Sequence, residues 1–155
     1  MSDTRESKYN VSQLKEMIID VQNESELKIN KFTLCSKIIG FGQYIPVNRK
    51  YAKAGTELLF YYEPVNLFTN RLNGAYQVWF GQDMEVLNSD RELIFKQENI
   101  LNFNYQTITP VLDIFGTNNL ALDKVIDGAY IFRIRVHDKL KDTSVEAEFP
   151  FNVVS

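Results

Sequence analysis

The chain has 155 residues, of which 45% are hydrophobic and 24% charged, a composition typical of one globular domain with its own core. The net charge of −3 and the pI of about 5.2 argue against a general basic surface, so we expect no nucleic-acid partner. A single cysteine, Cys35, excludes an internal disulfide bond.

Residues 1–9 are polar and are predicted to form a disordered tail. They contain no apolar core of a signal peptide. No apolar run in the sequence approaches the roughly 18 to 20 residues that span a bilayer. These features favour a cytoplasmic protein without a membrane span.

Residues 10–24 are predicted to form an amphipathic helix. Asn10 can accept a hydrogen bond from the backbone N–H of Gln13 while the Gln13 side chain reaches back, which is a capping box. Apolar residues recur at helical spacing on one face, namely Val11, Leu14, Met17, Ile18 and Val21. This stripe either packs on the domain that follows or joins another chain.

From Leu27 onward the apolar period changes to two, and residues 27–155 are predicted to form a β-sandwich domain. The candidate strands are 27–38, 57–65, 75–80, 84–87, 92–97, 103–108, 128–138 and 143–153. Turn signals such as Asn73-Gly74 and Asn88-Ser89-Asp90 separate several of them. Residues 109–126 show no clear period and are predicted to be a long crossover loop.

The last two strands predict their own register. A tight turn over 139–142 places Arg135 opposite Glu146 and Arg133 opposite Glu148. The same register aligns apolar positions of the two strands on the other face. We therefore interpret the stripe of Arg133, Arg135 and His137 as a self-neutralised outer face rather than an anion site.

Four segments carry a family resemblance: from Cys35 to Tyr44, from Ala54 to Asn66, from Asp127 to Tyr130 and from Phe149 to Val153. Together they resemble an immunoglobulin-like β-sandwich module of bacterial proteins of unknown function. The resemblance covers roughly residues 10–153. It implies an all-β fold, an immunoglobulin-like antiparallel sandwich of seven or eight strands after one amino-terminal amphipathic helix. It implies no catalytic residues, and the loop around residues 111–122 departs from its pattern.

Residue types that catalyse reactions or bind metals are scarce. Cys35 and His137 are the only residues of their kinds, and nothing in the sequence brings them together as a thiol nucleophile and base would require. A structural zinc site needs four ligands, and no calcium-binding loop motif is present. We therefore predict no catalytic residue, no metal site, no cofactor and no enzyme activity. A hydrolase with a carboxylate pair is the least favoured alternative.

Three aromatic side chains are candidate binding residues of the sandwich ends and faces. Phe41 and Tyr44 lie in a glycine-flanked turn, which is either a binding lip or a plug for the end of the sandwich. Trp79 is either packed under the helix or exposed as a platform for a sugar ring or a partner.

Three further candidates lie outside the predicted strands. Phe115 is in the long loop, where an apolar ring either enters the core or meets a partner. Leu14 and Ile18 belong to the helix stripe and would contact another chain. The six candidates together predict a non-catalytic interaction module, for binding a protein or for self-assembly. The alternative is a carbohydrate-binding module that uses exposed aromatic rings.

Overall fold

The computed structural model describes residues 8–155, so the predicted tail lies outside the described residues except for Lys8 and Tyr9. The described part contains one helix, α1 (Val11–Glu24), followed by ten strands. In chain order these are β1 (Lys28–Gly40), β2 (Gln43–Pro46), β3 (Tyr51–Lys53), β4 (Glu57–Val65), β5 (Asn70–Leu72), β6 (Ala75–Asn88), β7 (Leu93–Thr107), β8 (Gly116–Ala121), β9 (Gly128–Asp138) and β10 (Thr143–Val154).

The strands form two sheets. One has the order β2-β1-β4-β8, and the other has the order β3-β10-β9-β6-β5, with β7 paired to β6. The pair of β3 and β10 is parallel, and the other pairs are antiparallel. The inner faces share one core, whose fully buried members include Phe60, Phe80, Phe132 and Ile134. The all-β class with one amino-terminal helix is thus confirmed.

The strand count is ten rather than seven or eight. Two pairs of predicted short strands are each one long strand, β6 and β7. Shifts in their pairing, one of them between Gln82 and Met84, absorb the breaks in alternation that suggested separate strands. The predicted crossover loop contains β8, which pairs with β4 through polar residues that carry no apolar period.

The register predicted for the last two strands is present: Arg135 is paired with Glu146, and Arg133 with Glu148. Arg133 also donates to Glu85 on β6 at 2.9 Å, so the charges of three strands neutralise one another. This outer face is therefore an ion-pair ladder across β6, β9 and β10.

Helix α1 is anchored mainly through its polar side. The capping box forms, with the Gln13 N–H donating to the Asn10 side chain at 2.8 Å. Further along, Glu16 accepts from Arg71 at 2.7 Å, and the Asn23 side chain donates to the Thr69 carbonyl at 3.0 Å. Ile19 is the buried apolar residue of the helix, whereas the stripe of Val11, Leu14, Met17, Ile18 and Val21 is exposed. Polar partners on β5 and directly before it thus determine which face of the helix points inward.

Among residues 8–155, no helix is both long and apolar enough to cross a membrane.

Candidate functional site

A groove opens between the two sheets along one side of the molecule. Its volume is about 780 Å³, within the range of roughly 300–1,000 Å³ that holds small molecules in proteins. Residues of β6 and β7 line it from one sheet, and β8 with the segment after it lines it from the other. Both β7 and β8 lie at sheet edges, since β7 pairs with β6 and β8 pairs with β4.

The groove exists because the two sheets differ in extent. Strands β6 and β7 have 14 and 15 residues, whereas the facing edge strand β8 has only 6. The short strand cannot cover the whole inner face of the long hairpin. Phe95 is paired with Val86 and therefore points to the same inner face, yet Phe95 is 44% exposed and Val86 only 5%.

A β-bulge adds a second apolar wall residue. Val86 is paired with Phe95 and Leu87 with Leu93, so Ile94 is an extra residue between them. Ile94 is 49% exposed and lines the groove together with Phe95. The bulge therefore directs two consecutive apolar side chains to one cavity, which regular alternation would not allow.

The floor is apolar and buried, and consists of Met84, Val86, Leu120, Leu122, Tyr130 and Phe151. The rings of Tyr130 and Phe151 stack with their centroids 5.8 Å apart. The Tyr130 hydroxyl donates to the Ile126 carbonyl at 2.6 Å, which connects the segment after β8 to the floor. Ile126 itself is 78% exposed at the rim.

Polar groups are few and lie among the apolar ones. The amide side chains that line the groove are Asn88, Gln97 and Asn119, and the charged side chains are Asp123 and Lys124. One cation and one anion leave the lining close to neutral. Among residues 8–155, no group of three or more His, Cys, Asp or Glu is placed to hold a metal ion.

A buried polar network links the two sheets beside the floor. Gln82 on β6 and Asn118 on β8 exchange two side-chain hydrogen bonds of 2.7 and 2.9 Å. The Tyr62 hydroxyl donates to the Gln82 side chain at 2.7 Å, and burial raises the pKa of that hydroxyl. Gly116 leaves room for the Tyr62 ring, because a Cβ there would lie 2.3 Å from it. The network fixes the distance between the sheets next to Met84 and therefore the width of the groove.

Two of the predicted binding residues meet on the four-stranded sheet. The rings of Tyr44 and Phe115 each stack on the ring of Tyr61, with centroids 4.1 and 5.6 Å from its own. Tyr61 is fully buried and donates to Glu63 at 2.6 Å. Burial and the Glu63 hydrogen bond raise the pKa of Tyr61 to about 12. These rings cover one another, and neither Tyr44 nor Phe115 lines the groove.

The other four candidates are spread over the surface. Phe41 lines a separate cavity of about 70 Å³, to which the helix contributes Gln22. Trp79 lies on the six-stranded sheet, where its indole N–H donates to Asn102 at 2.8 Å and the Lys139 ammonium lies 5.3 Å from the ring centroid. Leu14 and Ile18 are exposed on the helix. The structure therefore does not gather the six predicted residues into one site.

Sequence analysis missed the residues that line the groove. One signal was present: Leu93, Ile94 and Phe95 are three consecutive apolar residues in a strand whose neighbours are charged. Three such residues cannot all face a core when side chains alternate. The facing strand β8 lies within residues 109–126, for which the sequence predicts a loop.

Comparisons with known proteins find little. No family model matches the chain, and no curated protein matches its sequence. Among solved structures, the fold is similar to Pseudomonas fluorescens alkylpurine DNA glycosylase AlkC bound to DNA containing an abasic site analog, with a TM-score of 0.48 and 7% identity. The match covers 93% of this chain and 35% of that one, so this chain spans about a third of the matched protein.

This comparison corrects two predictions. The finding contradicts the function predicted from the sequence, because the matched protein is a DNA glycosylase bound to DNA. The prediction of a protein-binding or self-assembling module, with carbohydrate binding as the alternative, is therefore wrong. The exclusion of nucleic-acid partners is wrong on the same ground. Physically, a net charge of −3 is a sum over the whole chain and does not describe any one surface. At this TM-score and identity, the matched protein supplies no mechanism for this chain.

Proposed function

We propose that this protein binds a small, mainly apolar molecule in the groove between its two sheets. One observation carries the proposal: Ile94 and Phe95 point into a groove of about 780 Å³ and stay half exposed above a buried apolar floor. Apolar surface held open in a concave site of this size is typical of ligand-binding clefts. A ligand there would remove from water the two wall residues that the fold itself leaves uncovered.

The lining defines the class of ligand. A mostly apolar cavity with one cation, Lys124, and one anion, Asp123, suits a neutral or singly charged molecule such as a long acyl chain or a fused-ring compound. A highly charged ligand would lose its hydration without finding enough partners. For a ligand of about 25 heavy atoms, roughly −0.3 kcal/mol per atom gives about −7.5 kcal/mol, a Kd of a few micromolar.

Two predictions from the sequence belong to this proposal. We infer an immunoglobulin-like sandwich, which is supported by two mainly antiparallel sheets that share one core. We also infer that the groove holds its ligand without reacting with it. This is supported by a lining whose titratable side chains are Asp123, Lys124 and Tyr130, the last already hydrogen-bonded to Ile126.

The experiment is a fluorescence titration with Nile red, an uncharged apolar dye. The wild-type chain should bind it saturably at one site. The double variant Ile94→Ala/Phe95→Ala should bind at least about tenfold more weakly, because it removes both walls. Tyr105→Ala is the matched control: Tyr105 lies on the same strand and is 54% exposed, but it does not line the groove.

A second variant closes the groove instead of removing its walls. Ala121 lines the groove and is exposed, so Ala121→Phe should fill part of it while the chain stays folded. Loss of dye binding with an unchanged melting temperature supports the proposal. Dye binding that is unsaturable, or that Tyr105→Ala weakens as much as the double variant does, would overturn it.

A further inference from the structure

A row of three polar side chains crosses the outer face of the six-stranded sheet, away from the groove. His137 on β9 lies between Ser144 on β10 and Asp83 on β6. Its Nδ1 is 2.6 Å from the Ser144 Oγ, and its Nε2 is 2.9 Å from the Asp83 Oδ2. Both distances are those of hydrogen bonds. Ser144 is exposed at the outer end of the row.

The hydrogen bonds determine which nitrogen carries the proton. Burial raises the pKa of Asp83, but hydrogen bonds from the Asn99 N–H and from His137 outweigh it and hold the pKa below its usual range. Asp83 is therefore a carboxylate that can only accept, so in a neutral imidazole the proton lies on Nε2. The Nδ1 lone pair then accepts the Ser144 hydroxyl, as in a nucleophile paired with its base.

The surrounding backbone is shaped to hold this row. Gln82 is paired with Leu101 and Met84 with Gln97, so residues 98–100 bulge opposite Asp83. Within the bulge, Asn99 has a φ of +52° and donates its N–H to the Asp83 carboxylate at 2.7 Å. A non-glycine residue in this left-handed region is strained, and such strain clusters at functional sites.

Gly81 leaves space beside the imidazole. It is paired with His137, and a Cβ there would lie 2.9 Å from both the Lys139 Cε and the Asn99 Oδ1. The Lys139 side chain can therefore cross the strand next to His137. Trp79 lies on the same face under the Lys139 ammonium, which provides an aromatic surface near the row.

The two arginines that precede His137 on β9 are each paired with a carboxylate. Arg135, two residues before His137 on β9, is hydrogen-bonded to Glu146 on β10, and Arg133 pairs with Glu85 on β6. These ion pairs lie along the same three strands as the row. The carboxylate that contacts the imidazole is that of Asp83.

We infer that Ser144 is a nucleophile toward small acyl esters, with His137 as its general base and Asp83 as the positioning residue that sets the tautomer. The Ser144 oxygen bonds to the ester carbonyl carbon while its proton passes to His137 Nδ1. The bond from that carbon to the alcohol oxygen then breaks, and the departing alcohol takes the proton from Nδ1. The products are an acyl ester on Ser144 and the free alcohol. Water then bonds to the acyl carbon while giving a proton to Nδ1, and the Ser144 oxygen leaves with that proton, which releases a carboxylic acid.

The test is site-resolved labelling of the full chain with a fluorophosphonate probe, which bonds to activated serines and releases fluoride. Peptide mass spectrometry gives the labelling rate of each serine. We expect Ser144 to react at least about a hundredfold faster than Ser36, an exposed serine on β1 with no histidine partner in the sheet. Ser144→Ala should abolish the label, and His137→Gln should slow it by a similar factor.

The positioning role of Asp83 is tested by comparing the labelling rate of Ser144 with the melting temperature. Asp83→Asn keeps an oxygen for the Asn99 N–H but can no longer hold the tautomer, so labelling of Ser144 should fall at least about tenfold while the melting temperature changes little. Asp83→Glu should restore part of the rate. The inference is overturned if Ser144 reacts no faster than Ser36, or if His137→Gln leaves its rate unchanged in a folded chain.

Discussion

The buried pair of Gln82 and Asn118 offers a quantitative test of how the sheets are joined. Asn118→Leu removes both hydrogen bonds between these side chains and leaves the Gln82 amide with one 3.4 Å contact to the Asp83 carbonyl. Gln82 is fully buried, so its N–H group loses its partner without gaining water. A buried unsatisfied polar group costs about 1–3 kcal/mol, and we expect about 2–3 kcal/mol here, including the strain of the larger side chain.

A double-mutant cycle separates this cost from the change in packing. Gln82→Leu alone should also lower the free energy of unfolding by about 2–3 kcal/mol, because it removes the hydrogen-bond partner of both the Asn118 side chain and the Tyr62 hydroxyl. Gln82→Leu/Asn118→Leu should be less destabilised than the sum of the singles by about 1–3 kcal/mol. Urea unfolding followed by circular dichroism measures each free energy of unfolding. Strictly additive losses would refute the reasoning.

Two further predictions concern the aromatic residues of β4. Gly116→Ala places a methyl group 2.3 Å from the ring of the buried Tyr62. It should lower the free energy of unfolding, measured by the same urea series, by about 2 kcal/mol or more. An unchanged free energy of unfolding would show that the ring can move aside. The raised pKa of Tyr61, about 12, means that folding favours its neutral form, so the associated stability is present below pH 10, the ordinary tyrosine pKa being about 10. Stability should therefore fall between pH 10 and pH 12 more steeply in the wild type than in Tyr61→Phe, and parallel curves from alkaline urea titrations would contradict the assignment.

The last hairpin could be predicted from the sequence because its information is local. Alternating apolar residues and facing charges such as Arg135 and Glu146 specify the register of two neighbouring strands. Strand β8 could not be predicted in this way. Its polar residues Thr117, Asn118 and Asn119 are held by pairing with β4, which lies more than fifty residues earlier in the chain. The inward face of the helix likewise depends on a distant partner, Arg71.

The candidate sites were also hard to predict, because each combines strands that are far apart in the chain. The groove combines β6, β7, β8, β9 and β10, and only the consecutive apolar residues Ile94 and Phe95 hinted at it in the sequence. For the polar row, the predicted register already implied that Ser144 faces His137. Asp83 completes the row only because β6 is the other neighbour of β9, an arrangement that strand periodicity does not encode.

The most direct test of ligand binding in the groove is to locate the ligand by NMR. Isoleucine methyl groups are labelled, and Nile red or a long-chain fatty acid is titrated into the full chain. We predict saturable shifts of the Ile94 and Ile126 methyl signals, because both residues line the groove. Ile18 and Ile39, which are exposed on the helix and on β1, should not shift. Shifts confined to Ile18 and Ile39, or the absence of saturable shifts at Ile94 and Ile126, would contradict a ligand site between the sheets.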